Sequence, residues 1–278
     1  MFTPNEAVTT AVESISDKGV KEKIQNFLAM LSSSGEGLGE GEEGGFQIPF
    51  LRLLQGTTKP ENMPEGASPG SYVIGSGMNS EVLGKAVKFY LLSVQKGRTY
   101  FRSEDGNDAN VKLYCWSPDR VVGKLGNCDG CPFAEKDESG KSPCSVTVPV
   151  IGMTEDLELI FQFTFAKTGF MEGTKIAKFL RTPRGYKATY DMPWTLTAST
   201  HATRTAIRVP VLNAVSEGVP EDLHAFLKAL SNQINSEHVE FTRLFHEQVG
   251  QSPAALEHDG ATEAAPVTQQ LKFDIDSE

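Results

Sequence analysis

Four cysteines, Cys115, Cys128, Cys131 and Cys144, place a central Cys-Asp-Gly-Cys turn between two outlying thiols, with twelve residues on either side. A tetrahedral Zn²⁺ takes four soft donors at about 2.3 Å, and two thiols separated by two residues reach one ion from a single tight turn. Gly130 is the residue expected to make that turn. The pattern predicts one structural Zn²⁺ held by all four sulphurs. Two disulfides are the competing use of four cysteines, but no basic-plus-apolar signal segment precedes them, which argues against an oxidising compartment. A redox Cys-x-x-Cys belongs at a strand-to-helix junction, whereas Pro118, Gly123, Gly126, Pro132, Gly140 and Pro143 make this region a loop. A catalytic zinc site keeps one position open and recruits His or carboxylate, and no His precedes His201.

Beside the thiols runs a stretch in which basic and aromatic residues alternate. Unpaired nucleic acid offers a phosphate at every nucleotide and the flat face of every base, so a groove that tracks it combines Lys/Arg with exposed rings. The candidate contacts are Lys88, Arg98, Tyr100, Arg102, Lys112, Tyr114 and Trp116, followed by a second cluster of Lys175, Lys178, Arg181, Arg184, Tyr186, Lys187, Tyr190, Trp194 and Arg204. Phe161, Phe163 and Phe165 share one face of a period-two pattern and belong to the core instead.

The charge distribution fits that reading better than its sum. The chain carries −10 overall, but residues 1–84 hold −6, residues 85–208 hold +5 and residues 209–278 hold −9; residues 159–208 alone reach +6. Local charge, more than the total, decides where a polyanion docks. No catalytic motif stands out. His201 beside Ser199 lacks a nucleophile elbow and a matched acid, and Gly75-Ser-Gly77 lacks the Gly-Lys-Ser/Thr ending of a phosphate loop, so no enzyme is expected.

These residues need a scaffold. With 278 residues and 39% hydrophobic content the chain buries a real core, and no apolar run approaches the roughly 20 residues of a membrane span. The absence of a targeting segment predicts a soluble, cytoplasmic protein. Residues 1–31 read as a helical segment interrupted at Gly19, residues 32–46 as a flexible Gly/Glu linker, and residues 47–249 as the core. Within that core, 86–94 and 98–102 read as strands joined in a hairpin through Gln-Lys-Gly; 111–116, 145–151 and 157–167 are further strands. The cysteine loop, 115–144, interrupts the strand series. Residues 173–181 read as a short helix, 194–209 as a strand, and 220–249 as a long helix with a break near Asn235. The fold class is mainly β with flanking helices (α+β): an OB-like antiparallel barrel with an inserted four-cysteine zinc loop. Residues 250–278 form a disordered acidic tail whose tip carries Phe273, Asp274, Ile275 and Asp276, apolar and acidic side chains suited to a basic-rimmed pocket on a partner.

Taken together, the four cysteines within the β region, the basic and aromatic stretch and the ending Leu271-Lys-Phe-Asp-Ile-Asp-Ser-Glu278 resemble the single-stranded DNA-binding proteins of bacteriophages. T4-type members hold zinc with one His and three Cys, while this chain offers four Cys at a different spacing, so only the metal role carries over. Bacterial relatives end on an apolar dipeptide and this chain on Ser277-Glu278. The resemblance implies a protein that coats single-stranded DNA during replication, recombination or repair, in the host cytoplasm. It further implies recruitment of replication or recombination proteins through the tail, and leaves self-association open. The rival is a zinc-ribbon transcription or recombination regulator on duplex DNA or RNA polymerase. It is disfavoured by five acids in the cysteine loop, Asp119, Asp129, Glu135, Asp137 and Glu138. A nuclease or nucleotide-processing enzyme and a virion structural protein are the remaining alternatives.

Overall fold

Strand β4 (Ala86–Val94) is buried on both faces, with Val87, Phe89 and Leu91 entering one apolar cluster and Tyr90 and Leu92 another. A strand alternates its side chains between faces, so double burial makes β4 a central strand with a layer on each side. The computed structural model describes residues 3–33, 48–75, 80–103, 111–136, 138, 140, 142–180, 188–215 and 217–250. In chain order the elements are α1 (Glu6–Glu13), α2 (Lys18–Ser33), β1 (Leu51–Leu53), β2 (Tyr72–Ile74), β3 (Glu81–Gly84), β4, β5 (Gly97–Ser103) and β6 (Val111–Ser117). There follow β7 (Val122–Gly123), β8 (Gly126–Asn127), β9 (Ser145–Thr154), β10 (Ile160–Ala166), α3 (Phe170–Leu180), β11 (Pro193–Thr200), β12 (Arg208–Ala214) and α4 (Glu221–Gly250).

The main sheet runs β12-β11-β4-β9-β5-β6, with β10 also paired to β9, and every pairing in it is antiparallel. β9 is the hub. One edge pairs with β4 through Val150–Thr154 and with β5 through Ser145–Thr147, while the other edge carries β10. Two expectations fail here. The sheet does not close into a barrel, since its path ends at β6 and β12. Nor do β4 and β5 form a hairpin: they follow one another along the same edge of β9, Val94 opposite Val150 and Gly97 opposite Thr147, and Pro149 O accepts the Gln95 amide between them. The expected strand over 194–209 is two strands, β11 and β12, joined by a turn in which His201 Nδ1 accepts from the amides of Thr203 and Arg204.

On one face lie α1, α2 and α4, sealed by Val8, Val12, Ile24, Phe27, Leu31, Phe226, Leu227 and Leu230 against Tyr90, Leu92, Ile151 and Met153. The N-terminal helices thus belong to the core and are not a segment set apart from it. Their break precedes Gly19: Asp17 Oδ1 accepts from the amides of Gly19 and Val20 and starts α2. Asn5 caps α1 by accepting the Val8 amide at 2.9 Å. The long helix α4 does not break at Asn235, whose side chain donates to Ser231 O and accepts from Ser93 Oγ at 2.7 Å. One turn earlier the buried Ser231 hydroxyl donates to Leu92 O at 2.6 Å, so two polar contacts fix α4 on β4. The opposite face buries Phe161, Phe163 and Phe165, as their alternation predicted, with Ile176 of α3, Tyr72 of the small β1-β2-β3 sheet, and Trp194. Among the described residues no helix is long and apolar enough to cross a membrane.

Candidate nucleic-acid interface and thiol site

The antiparallel register of β6, β5 and β9 decides which side chains meet. Tyr100 pairs with Cys115, and Arg98 with both Ser117 and Val146, so Arg98, Tyr100, Cys115 and Ser117 share one face. Cys144 precedes β9 by one residue and keeps the parity of Val146. Thr99 and Trp116, also paired, take the other face. Adjacent residues Cys115 and Trp116 therefore serve opposite sides of the sheet.

All four thiols line one pocket with Arg98 and Tyr100. The β7-β8 hairpin turns at Gly126 (φ 109°), and the Cys128 amide donates to Val121 O at 2.9 Å, bringing that thiol back under the sheet. Gly130, the residue expected to make the Cys-Asp-Gly-Cys turn, has φ 72°, a left-handed conformation that favours glycine. The amides of Ala134 and Glu135 donate to Cys131 O, and the Cys144 amide donates to Phe133 O at 2.7 Å. All four cysteines are free thiols. Burial pushes the Cys115 thiol up to about 11, with the other three sulphurs adding to the effect, and burial also raises Cys128 and Cys144.

Does this pocket suit a metal? A Cβ placed on Gly123 would lie 3.1 Å from Cys115 Sγ and 3.6 Å from Cys128 Sγ, so two thiols converge over a residue with no side chain. Burial and mutual repulsion make proton loss from these thiols costly, and a bound dication would offset both penalties. The donor set, four sulphurs and no carboxylate, matches a closed structural zinc site. Among the described residues no three His, Cys, Asp or Glu side chains already stand as a closed ligand cluster.

Immediately beside the pocket is an aromatic group. The register shifts between Tyr100 and Phe101, so that Tyr114 and Cys115 together oppose one residue of β5. A bulge of this kind re-aims a side chain. It brings the Tyr114 ring edge-on to Tyr100, with centroids 5.6 Å apart. Phe133, from the cysteine loop, stacks on Tyr100 at 4.6 Å and 21°. The Arg102 guanidinium stands over Tyr114, 5.3 Å from its centroid. Tyr114 is 36% exposed, so its ring is open to solvent beside Arg102.

Of the predicted contacts, Tyr100, Arg102 and Tyr114 thus come together, and Lys112 sits opposite Arg102 in the register. Trp116 packs instead on Phe241 and Phe245 of α4, at 5.8 and 4.6 Å. Trp194 must be reassigned to the core: it is 2% exposed, its Nε1 donates to Thr189 O, and Phe179 meets it edge-on. Tyr190 is partly buried against the helical layer and His224. Lys88 is exposed and pairs with Glu155 at 3.6 Å. Lys175 and Lys178 lie exposed on α3, where Lys175 pairs with Glu172, and Arg204 is exposed in the β11-β12 turn. Arg181, Arg184, Tyr186 and Lys187 lie outside the described residues, as do Phe273, Asp274, Ile275 and Asp276. Sequence reasoning missed Phe133, which nothing local connects to Tyr100; Phe101, between Tyr100 and Arg102 on β5, takes the other face with Leu113.

Compared with known protein families, curated proteins and solved structures, the chain matches none.

Proposed function

We propose that this protein binds single-stranded DNA through the β5-β6 end of its sheet, with one structural zinc held by Cys115, Cys128, Cys131 and Cys144. The observation that carries the reading is the group of Tyr114, Arg102, Tyr100 and Phe133 on one face of β5-β6, a partly exposed tyrosine under a guanidinium and backed by two further rings. Every base has a π-face, so stacking on such rings holds a strand with little regard to sequence, while the guanidinium meets its phosphates. A duplex hides its base faces in the stack. Zinc, when bound, supplies a cross-link between β6, the loop and the start of β9. Phe133 is pinned within that loop by the Cys144 amide and the Ser142 hydroxyl, both donating to its carbonyl.

The OB-like part of the proposal rests on one long strand, β9, paired along both edges, and on α3 placed between β10 and β11. Binding of replication or recombination proteins by residues 273–276 remains part of the same proposal. The deciding experiment is a fluorescence anisotropy titration of the full chain with labelled oligothymidylate and with a duplex of equal length, at two salt concentrations. The proposal expects tighter binding to the single strand and a steep loss with salt. Equal affinity for the two forms supports a duplex-binding regulator, and binding to neither overturns the reading.

A further inference from the structure

Arg98 is the predicted phosphate contact that the fold treats differently. It lies in the middle strand of β6-β5-β9, flanked by Ser117 on one side and Val146 on the other, each two residues from a cysteine. Side chains two apart on a strand share a face, so Cys115 and Cys144 approach the Arg98 side chain from both neighbouring strands. The guanidinium lines the thiol pocket and reaches the Cys144 sulphur. Its Nε is buried with no hydrogen-bond partner in the described structure. Arg120, the other guanidinium nearby, is already committed: its Nε donates to Gly97 O at 3.1 Å and its Nη2 to Thr147 O.

A buried cationic donor left unsatisfied is costly, and proteins retain one where an anion completes it. The anion at hand is sulphur. Four thiolates around one divalent cation carry a net charge of −2, which the low dielectric of a half-buried pocket penalises. We infer that Arg98 is a positioning residue of the thiol site, donating to cysteine sulphur and reducing the charge of the loaded cluster, instead of contacting DNA. This inference rests on the metal reading above. The guanidinium does for these thiolates what a carboxylate does for a zinc-bound histidine: it fixes the orientation of the ligand and adjusts its donor strength. Lysine has a shorter reach and lacks the planar fork, so it serves the charge and loses the geometry.

The test uses the full chain as wild type, Arg98→Gln and Arg98→Lys. Each is loaded with Zn²⁺ or Co²⁺, and metal content, the sulphur-to-cobalt charge-transfer band and the rate of zinc release to a chromophoric chelator are measured. Loss of a shell that orients metal ligands costs about 10- to 100-fold in metal affinity. Arg98→Gln is therefore expected to release zinc at least tenfold faster and to shift the cobalt band, with Arg98→Lys intermediate. Its single-strand salt slope should equal that of wild type, whereas loss of one phosphate contact lowers the slope by about 0.7. Wild type that loads no metal refutes the metal reading, and the inference with it. Wild type that loads metal, beside Arg98→Gln with unchanged release rate and band, refutes the inference alone; so does a salt slope reduced in Arg98→Gln. Should Arg98→Gln fail to fold, Arg98→Lys decides: release and spectrum identical to wild type overturn the role.

Discussion

On the proposed single-strand reading, Tyr114→Ala separates a ring that would stack on bases from rings that hold the protein together. In the folded chain Tyr114 makes an edge contact to Tyr100 at 5.6 Å, a looser one to Phe133 at 6.3 Å, and lies under Arg102. An aromatic pair contributes about 0.5–1.5 kcal/mol and an exposed cation–π contact about 0.5–1 kcal/mol. Stability should therefore fall by about 1–2 kcal/mol, leaving the fold intact. A base stacked on the ring contributes about 1–3 kcal/mol, and each 1.4 kcal/mol is tenfold in Kd, so affinity for oligothymidylate should drop by roughly 5- to 150-fold. Trp116→Ala, two residues along, makes the control. Its ring is engaged by Phe241 and Phe245, so it should lose about 3 kcal/mol of stability, at the low end for large-to-small aromatic changes, and keep the affinity. Anisotropy titrations at several salt concentrations read one quantity and thermal unfolding the other. Tyr114→Ala should leave the salt slope unchanged, because no phosphate contact is removed, while Arg102→Gln should lower it by about 0.7. The reasoning fails if Tyr114→Ala binds like wild type, or if Trp116→Ala loses affinity without losing stability.

Other outcomes follow from the thiol pocket and the helical layer. Cys128→Ser should abolish stoichiometric zinc, read by elemental analysis, and lower the thermal midpoint, since the energy of a structural metal site is folding energy. Gly123→Ala should do the same with no ligand removed, because its methyl would stand 3.1 Å from Cys115 Sγ; unimpaired loading would show that the metal sits elsewhere. In the metal-free chain the folded Cys115 thiol, at about 11 against an ordinary 9.0, binds its proton more tightly than the unfolded one. That contribution is complete below pH 9 and lost as the pH climbs through 11, so the metal-free protein should weaken over this window more than the loaded one in denaturant titrations. Asp222 accepts from the amide and hydroxyl of Ser16 and ties the α1-α2 joint to α4. Asp222→Ala should raise amide exchange in α1 and leave β9 protected. Removing residues 251–278 should preserve or raise affinity for the single strand and abolish partner capture; a large loss of affinity would contradict the tail assignment.

Much of the scaffold could be read from periodicity. Phe161, Phe163 and Phe165 alternate into the core as expected, and the apolar stripe of Leu223, Phe226, Leu227 and Leu230 does mark the face by which α4 packs. The cysteine spacing pointed to thiols that share one place in the fold, and all four line one pocket, with Gly130 in the turn between Cys128 and Cys131. What escaped was non-local. The Gln-Lys-Gly connection has the composition of a hairpin turn, but the carbonyl of Pro149, more than fifty residues on, takes the Gln95 amide and the chain continues along the same edge of β9. Trp194 has polar neighbours in sequence and apolar ones in space, and its indole donor is satisfied within the core by Thr189 O. Phe133 finds Tyr100 only because the loop folds back, and no local pattern encodes that return. Arg98 and Arg102 look equivalent in sequence and share one face of β5; Arg98 lies where β6 and β9 flank the strand and lines the thiol pocket, while Arg102 lies beyond the β9 pairing and stands over Tyr114.

β6 ends the main sheet, yet its outer side is not bare. The Lys124 amide donates to Trp116 O at 3.0 Å, so the returning loop occupies hydrogen-bonding positions that a further strand would use. Unprotected margins of sheets invite pairing between molecules, and proteins commonly cover them. The cysteine loop accordingly covers part of the β6 edge. If the loop holds the proposed zinc, chelation should turn a monodisperse preparation into one that scatters light through strand addition at β6, before the helical layer around α4 has unfolded.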